Sequence, residues 1–191
     1  MDIRLNHVYK SFGTLSVLND VNLTFEEGKI SCIMGPSGCG KTTLLHTLLG
    51  LHTIDSGEIT GLSGKVPSAV FQENRLLEQQ DAFTNIRVVC TRPLTNKEIA
   101  AEFELIGLKD YENKPVSELS GGMKRRVAIL RALMADDSNL ILMDEPFKGL
   151  DEALKFQVMQ YVKEKTQGKT VIFVTHDKEE ADVLGAQLIL L

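Results

Sequence analysis

Gly35-Pro36-Ser37-Gly38-Cys39-Gly40-Lys41-Thr42 has the spacing Gly-x-x-x-x-Gly-Lys-Thr and follows the apolar run Ile30 to Met34. Its glycines let the backbone curl until consecutive N–H groups face one anion, and a helix opening at Lys41 and running through Thr43 adds its positive end. Such a P-loop holds nucleotide phosphates. Lys41 reaches the β- and γ-phosphates, and the Thr42 hydroxyl is short enough to enter the coordination shell of Mg²⁺. Asp144, at the end of the apolar run Leu140 to Met143, stands where a carboxylate can serve the same Mg²⁺ through water. Adjacent residues leaving a strand point to different sides, so Glu145 is free to face the γ-phosphate and activate water as a general base. Leu119-Ser120-Gly121-Gly122-Met123 precedes a helix expected to begin near Lys124, which places a hydroxyl and glycine N–H groups at a second positive helix end.

These groups must be carried by particular elements. Strands are expected at Ile3 to Val8, at Val21 to Phe25 and at Ile30 to Met34, and a helix from Thr43 to Leu49 that Gly50 stops. Ala69-Val70-Phe71 is a short apolar run leading into polar Gln72-Glu73-Asn74. From Asp81 to about Met134 the pattern is mostly helical; Thr95 with Glu98 forms a capping box, and Gly107 closes that helix. The last third alternates: strand Leu140 to Met143, helix Glu152 to Thr166, strand Val171 to Thr175, helix Lys178 to Leu184, strand Leu188 to Leu191. Strands apolar at every position are buried on both faces, which implies a parallel sheet between helices. Ligands of such sheets bind beyond the carboxyl ends of the strands, where the P-loop, Asp144-Glu145 and Thr175-His176 all fall.

The 191 residues are 43% hydrophobic and 25% charged, ordinary for one globular domain with a small subdomain. A net charge of −5 argues against a surface built wholly for nucleic acid. Cys32, Cys39 and Cys90 lack metal-ligand spacing, and their odd number suits a reducing, cytosolic compartment. Met1 to Leu5 is polar-interrupted, unlike a signal peptide, and no apolar run approaches the roughly 20 residues that cross a bilayer. Any membrane task therefore calls for a separate membrane partner.

Taken together, the P-loop, Asp144-Glu145 and Leu119-Ser120-Gly121-Gly122-Met123 resemble the nucleotide-binding subunit of an ATP-binding-cassette (ABC) transporter, over nearly the whole chain. The resemblance implies an α/β P-loop NTPase fold: a mostly parallel central sheet flanked by helices, an N-terminal antiparallel β-subdomain and an inserted helical subdomain. Residues 1–72 and 135–191 would form the core with its β-subdomain, and 73–134 the helical subdomain with the signature loop. It also implies ATP and Mg²⁺ as ligands and two subunits paired head to tail. Ser120, Gly121 and Gly122 would then meet the phosphates held by the partner's P-loop. Gln72 resembles the Q-loop glutamine near Mg²⁺ and the attacking water, and His176 the switch histidine that contacts the γ-phosphate. Asp151 matches the D-loop aspartate that meets the opposite subunit, and Phe12 the aromatic that stacks on adenine.

Met123 in place of the usual glutamine, Asp144-Glu145-Pro146-Phe147, and His176-Asp177-Lys178-Glu179-Glu180-Ala181 resemble the nitrate, sulfonate and taurine importer branch. Permease subunits, an extracytoplasmic binding protein and a place on the cytoplasmic face of the membrane are implied with it. No regulatory domain is expected after Leu191. Phe147-Lys148-Gly149-Leu150-Asp151 departs from the family, which commonly has a small Ser-Ala pair there. Lys124-Arg125-Arg126 is expected to be a solvated face of the signature helix, not a nucleic-acid site. A soluble ABC ATPase is the alternative, but neither a coiled-coil insertion nor a second cassette is present; a small-molecule kinase leaves Ser120 to Met123 and His176 unexplained.

Overall fold

The computed structural model describes residues 1–109 and 114–191, so positions 110–113 of the expected helical block lie outside the described residues. In chain order the elements are β1 (Ile3–Phe12), β2 (Leu15–Phe25), β3 (Ile30–Met34), α1 (Lys41–Leu48), β4 (Ser56–Thr60) and β5 (Pro67–Val70). Then come α2 (Ala82–Arg87), α3 (Asn96–Leu105), a 3₁₀ turn (Val116–Glu118) and α4 (Gly121–Leu133). The chain closes with β6 (Leu140–Asp144), α5 (Glu152–Lys165), β7 (Thr170–Val174), α6 (Lys178–Leu184) and β8 (Gln187–Leu190). A five-stranded parallel sheet has the order β5-β6-β7-β3-β8, and an antiparallel sheet the order β2-β1-β4.

Alternation along the central strands explains their continuous apolarity. Ile141, Met143, Val171 and Phe173 point into a layer that contains Ile86 of α2, Phe103 of α3, Ile129 of α4 and Val158 of α5. Leu140, Leu142, Ile172 and Val174 point the other way, against Leu44, Leu45 and Leu48 of α1 and Ile3, Leu5 and Phe25 of the antiparallel sheet. Every residue of β6 and β7 is thus buried, as a sheet covered on both faces requires.

The antiparallel sheet differs most from expectation. β1 and β2 run well beyond the stretches predicted from alternation, because register shifts around Val8 and Lys10 break the two-residue period. β4 gives little apolar signal, with Ile59 alone facing the core: it is an edge strand beginning Ser56-Gly57-Glu58, exposed at all three positions. Gly57, at φ +93, passes so close to β1 that a Cβ would lie 2.1 Å from the His7 carbonyl oxygen. The capping box at Thr95 and Glu98 is present, and Gly107 has φ +70 after α3.

Asn85 is fully buried in α2 and ties down the loop that leads into it. Its Oδ1 accepts from the Leu77 N–H at 2.8 Å, and its Nδ2 donates to the carbonyls of Leu77 at 3.1 Å and Asp81 at 3.0 Å. Asn85→Ala should therefore cost about 1–3 kcal/mol by stranding these backbone groups. A lower urea midpoint at unchanged slope would show it; an unchanged midpoint would mean that water replaces the amide.

Candidate functional site

Because β3, β6 and β7 are parallel neighbours, the loops that follow them leave from one edge of the sheet. The loop after β3 reaches α1 through Gly40, whose φ of +101 and close approach to β2 exclude a side chain: a Cβ would sit 2.8 Å from the Val17 carbonyl oxygen. The first α-helical bond of α1 runs from the Leu44 N–H to the Gly40 carbonyl at 2.8 Å. The N–H groups of Lys41, Thr42 and Thr43 therefore have no intrahelical acceptor and remain to meet an anion. Lys41 is folded back, with Nζ donating to the carbonyls of Gly35 and Pro36 at 2.8 Å each and lying 3.9 Å from the Cys39 sulfur.

Across the edge, the Thr42 hydroxyl donates to Asp144 Oδ2 at 2.7 Å. Asp144 is buried at the end of β6. Its neighbour Glu145 turns out of the strand at φ +46, a left-handed conformation that costs a non-glycine residue about 1 kcal/mol or more. That turn sends the two carboxylates to different partners, as the sequence suggests: Glu145 Oε1 lies 3.1 Å from His176 Nε2, and Oε2 accepts from Lys148 Nζ at 2.6 Å. The Lys148 ammonium holds the Glu145 carboxyl below the usual carboxylate range; partial burial opposes this, and His176 and Lys41 add to the lowering.

A cleft of about 260 Å³ collects Ser37, Gly38, Gly40, Lys41, Thr42, Thr43, Gln72, Asp144, Glu145 and His176, together with Val17. Hydroxyl, carboxylate and amide oxygens from Thr42, Asp144 and Gln72 line it together, a hard-donor set suited to Mg²⁺. Glu145 and His176 also wall a neighbouring cavity of about 410 Å³, shared with Lys148, Thr175 and Asp177. There Lys155 Nζ binds Asp177 Oδ2 at 2.5 Å and Glu180 Oε1 at 3.2 Å, bracing the loop that carries His176.

The other predicted site residues lie outside the P-loop cleft. Ser120 is the exposed N-cap of α4 and accepts from the Met123 N–H at 3.3 Å, so the helix begins at Gly121 and not near Lys124. Gly121 and Gly122 line a separate cleft with Gln72, Asn74, Arg125, Lys148 and Gly149. Asp151 is the exposed N-cap of α5, accepting from the Leu154 N–H at 3.1 Å. Phe12, exposed at the end of β1, packs edge-on to His52 with ring centres 5.2 Å apart.

A family model described as "ABC transporter" matches residues 18–148. The chain belongs to the ABC transporter family. This cassette is 37% identical to the taurine import ATP-binding protein of Escherichia coli, over 99% of this chain and 79% of that one. It is 36% identical to the spermidine/putrescine import ATP-binding protein of Bacteroides thetaiotaomicron, over 99% of this chain. It spans only 44% of the length of the latter, less than half of a relative it matches nearly end to end. The dimeric structure of a bacterial ABC transporter cassette superposes with a TM-score of 0.86 at 31% identity, covering 99% of this chain and 94% of that one. A second, described as a post-hydrolysis state bound to ADP and Pi, gives 0.85 at 30%, with the same coverage.

The expectation for Lys124-Arg125-Arg126 is also overturned. Arg125 and Arg126 are not a solvated face: they are 5% and 8% exposed. Arg126 donates to the carbonyls of Ile106 and Gly107 at 3.0 and 2.6 Å, and Arg125 to carbonyls around the site. The sequence does hold the signal, since Ala128, Ile129 and Ala132 follow Arg125 at helical spacings of three, four and seven and place it on an apolar face.

Lys148→Ala should shift the Glu145 carboxyl titration, followed by carbon-detected NMR, to higher pH. A depressed folded-state pKa means that the pair stabilises above the unfolded carboxylate pKa and is lost as pH falls through the folded one, so the variant should be less stable than wild type near neutral pH, with the difference closing in acid. An unmoved midpoint would show that Lys148 does not occupy the carboxylate in solution.

Proposed function

We propose that the chain binds and hydrolyses ATP as the motor subunit of an ABC importer, in head-to-tail dimers of two copies. The observation that carries this reading is the division of its phosphate-facing groups: the P-loop cleft holds Lys41, Thr42, Asp144, Glu145 and His176, whereas Gly121 and Gly122 open into another cleft. A second copy facing the opposite way would bring its Ser120, Gly121 and Gly122 over the nucleotide, with Asp151 at the joint. The importer assignment is supported by relatives named for taurine and spermidine/putrescine import.

In this reading Gly35 to Thr43 cradle the phosphates, and Lys41 leaves its carbonyl partners to follow the β- and γ-phosphates. Thr42, Asp144 and Gln72 would hold Mg²⁺, which when bound neutralises phosphate charge. Glu145 takes a proton from water as its oxygen attacks the γ-phosphorus, ADP departs, and His176 donates to the transferred group. Phe12 would stack on adenine, a contact worth about 1 kcal/mol by analogy with other aromatic pairs. Closure around ATP and opening after hydrolysis would drive permease subunits through the helical subdomain at 73–134, on the cytoplasmic side of the membrane, with an extracytoplasmic binding protein delivering cargo. Among the described residues no helix is long and apolar enough to cross a membrane, so the transmembrane path would come from those permease subunits.

Glu145→Gln should retain ATP but lower turnover at least about 100-fold and accumulate a dimer in MgATP, read by phosphate release and sedimentation. Wild-type turnover would remove Glu145 as base, and a species that stays monomeric would remove the composite site. Lys41→Ala should weaken ATP binding about 10-fold or more, as loss of a charge-assisted contact does; equal affinity would take Lys41 out of the site.

A further inference from the structure

We infer that Arg125 is a positioning residue: it fastens the helix that presents Ser120 to a partner's nucleotide onto the backbone that aims this chain's own Glu145. The inference rests on the composite site proposed above. Arg125 leaves α4 five residues after Ser120, and its buried guanidinium is held by backbone carbonyls from two loops. At the end of β6 and in the loop that follows, it donates to the carbonyls of Asp144 at 2.6 Å, Glu145 at 2.5 Å and Pro146 at 2.9 Å. From the loop after β5 it contacts the carbonyl of Phe71, that of Gln72 at 3.5 Å, and Asn74 Oδ1 at 3.3 Å.

Three successive carbonyls meet one guanidinium, two at Nη2 and one at Nε, around Glu145 with its φ of +46. Pointed together, their negative ends repel one another, and a cation at the centre converts that repulsion into binding. The guanidinium and the left-handed Glu145 therefore support each other. The same planar fork reaches the Gln72 loop, which a lysine ammonium, a point charge with three donors, cannot span with equal geometry. Arg131 adds a second fastening from α4, donating to the carbonyls of Arg75 at 2.9 Å and Asn74 at 3.3 Å.

A single rigid helix thus has one end exposed for a second copy and its next turn gripping the base loop and Gln72. Displacement of α4 when Ser120 engages nucleotide across the dimer would be felt at Glu145 of the same chain, linking the two sites.

The test is Arg125→Gln and Arg125→Lys in the full chain, with MgATP turnover measured across ATP concentration and binding measured with a fluorescent ATP analogue. Expected are a nucleotide Kd within about 3-fold of wild type, a kcat at least about 10-fold lower for Arg125→Gln and partly restored in Arg125→Lys, and a Hill slope falling towards one. A kcat within 2-fold of wild type in Arg125→Lys and in any foldable Arg125→Gln, or a kcat loss matched by an equal loss of nucleotide affinity, would overturn it. Should Arg125→Gln not fold, Arg125→Lys, which keeps charge and bulk, decides by the same ratio. Ser120→Arg and Glu145→Gln run alongside separate the two ideas. If both stop turnover while every foldable Arg125 variant stays within 2-fold of wild type, this inference alone fails; if Ser120→Arg hydrolyses normally, the composite-site reading fails first.

Discussion

A parallel sheet buried on both faces leaves its chemistry only one place to go. From Leu140 to Met143 of β6 and from Val171 to Val174 of β7 every side chain goes into packing, odd positions into the helical layer and even positions against α1 and the antiparallel sheet. Polar groups are therefore pushed to the carboxyl edge, where strands end and helices begin. The strand order β6-β7-β3 then brings Asp144, His176 and the P-loop, which are far apart along the chain, to a single cleft. The burial of Leu142 or Ile172 and the placement of Thr42 beside Asp144 are consequences of the same constraint.

Within that cleft the arrangement of charge is economical. Lys41 is satisfied by two carbonyls, and Glu145 has one oxygen near His176 and the other on Lys148. Each partner is replaceable by a ligand at small cost, since carbonyls and exposed cations are readily solvated, whereas a carboxylate buried without partners would not stay ionised. Lys148 sets an exposed cation beside the Glu145 carboxylate.

Backbone carbonyls accept the hydrogen bonds of buried Arg125, while the nearby Asp144 and Glu145 carboxylates favour its charge. Because the bonds go to carbonyls, the Asp144 and Glu145 side chains keep their own partners, Thr42 for the first and Lys148 and His176 for the second, while the main chain joins the helical layer to the sheet edge.

What the sequence determined by itself was local. The glycine spacing from Gly35 to Gly40, the cap at Thr95, the continuous apolarity of Leu140 to Met143 and of Val171 to Val174, and the order of strands and helices all follow from contacts within a few residues. Edge strand β4 was illegible because it buries little, and the shifted register of β1 and β2 erased the alternation that marks a half-buried strand. Tertiary structure decided the partners of the charges: helical spacing to Ala128, Ile129 and Ala132 already sets Arg125 on an apolar face, but only the meeting of two distant loops around it makes the side chain a buried tie. Which carbonyls a buried guanidinium meets is set by the fold, and that information is spread over residues 71 to 146, beyond the helical neighbours that signal its burial.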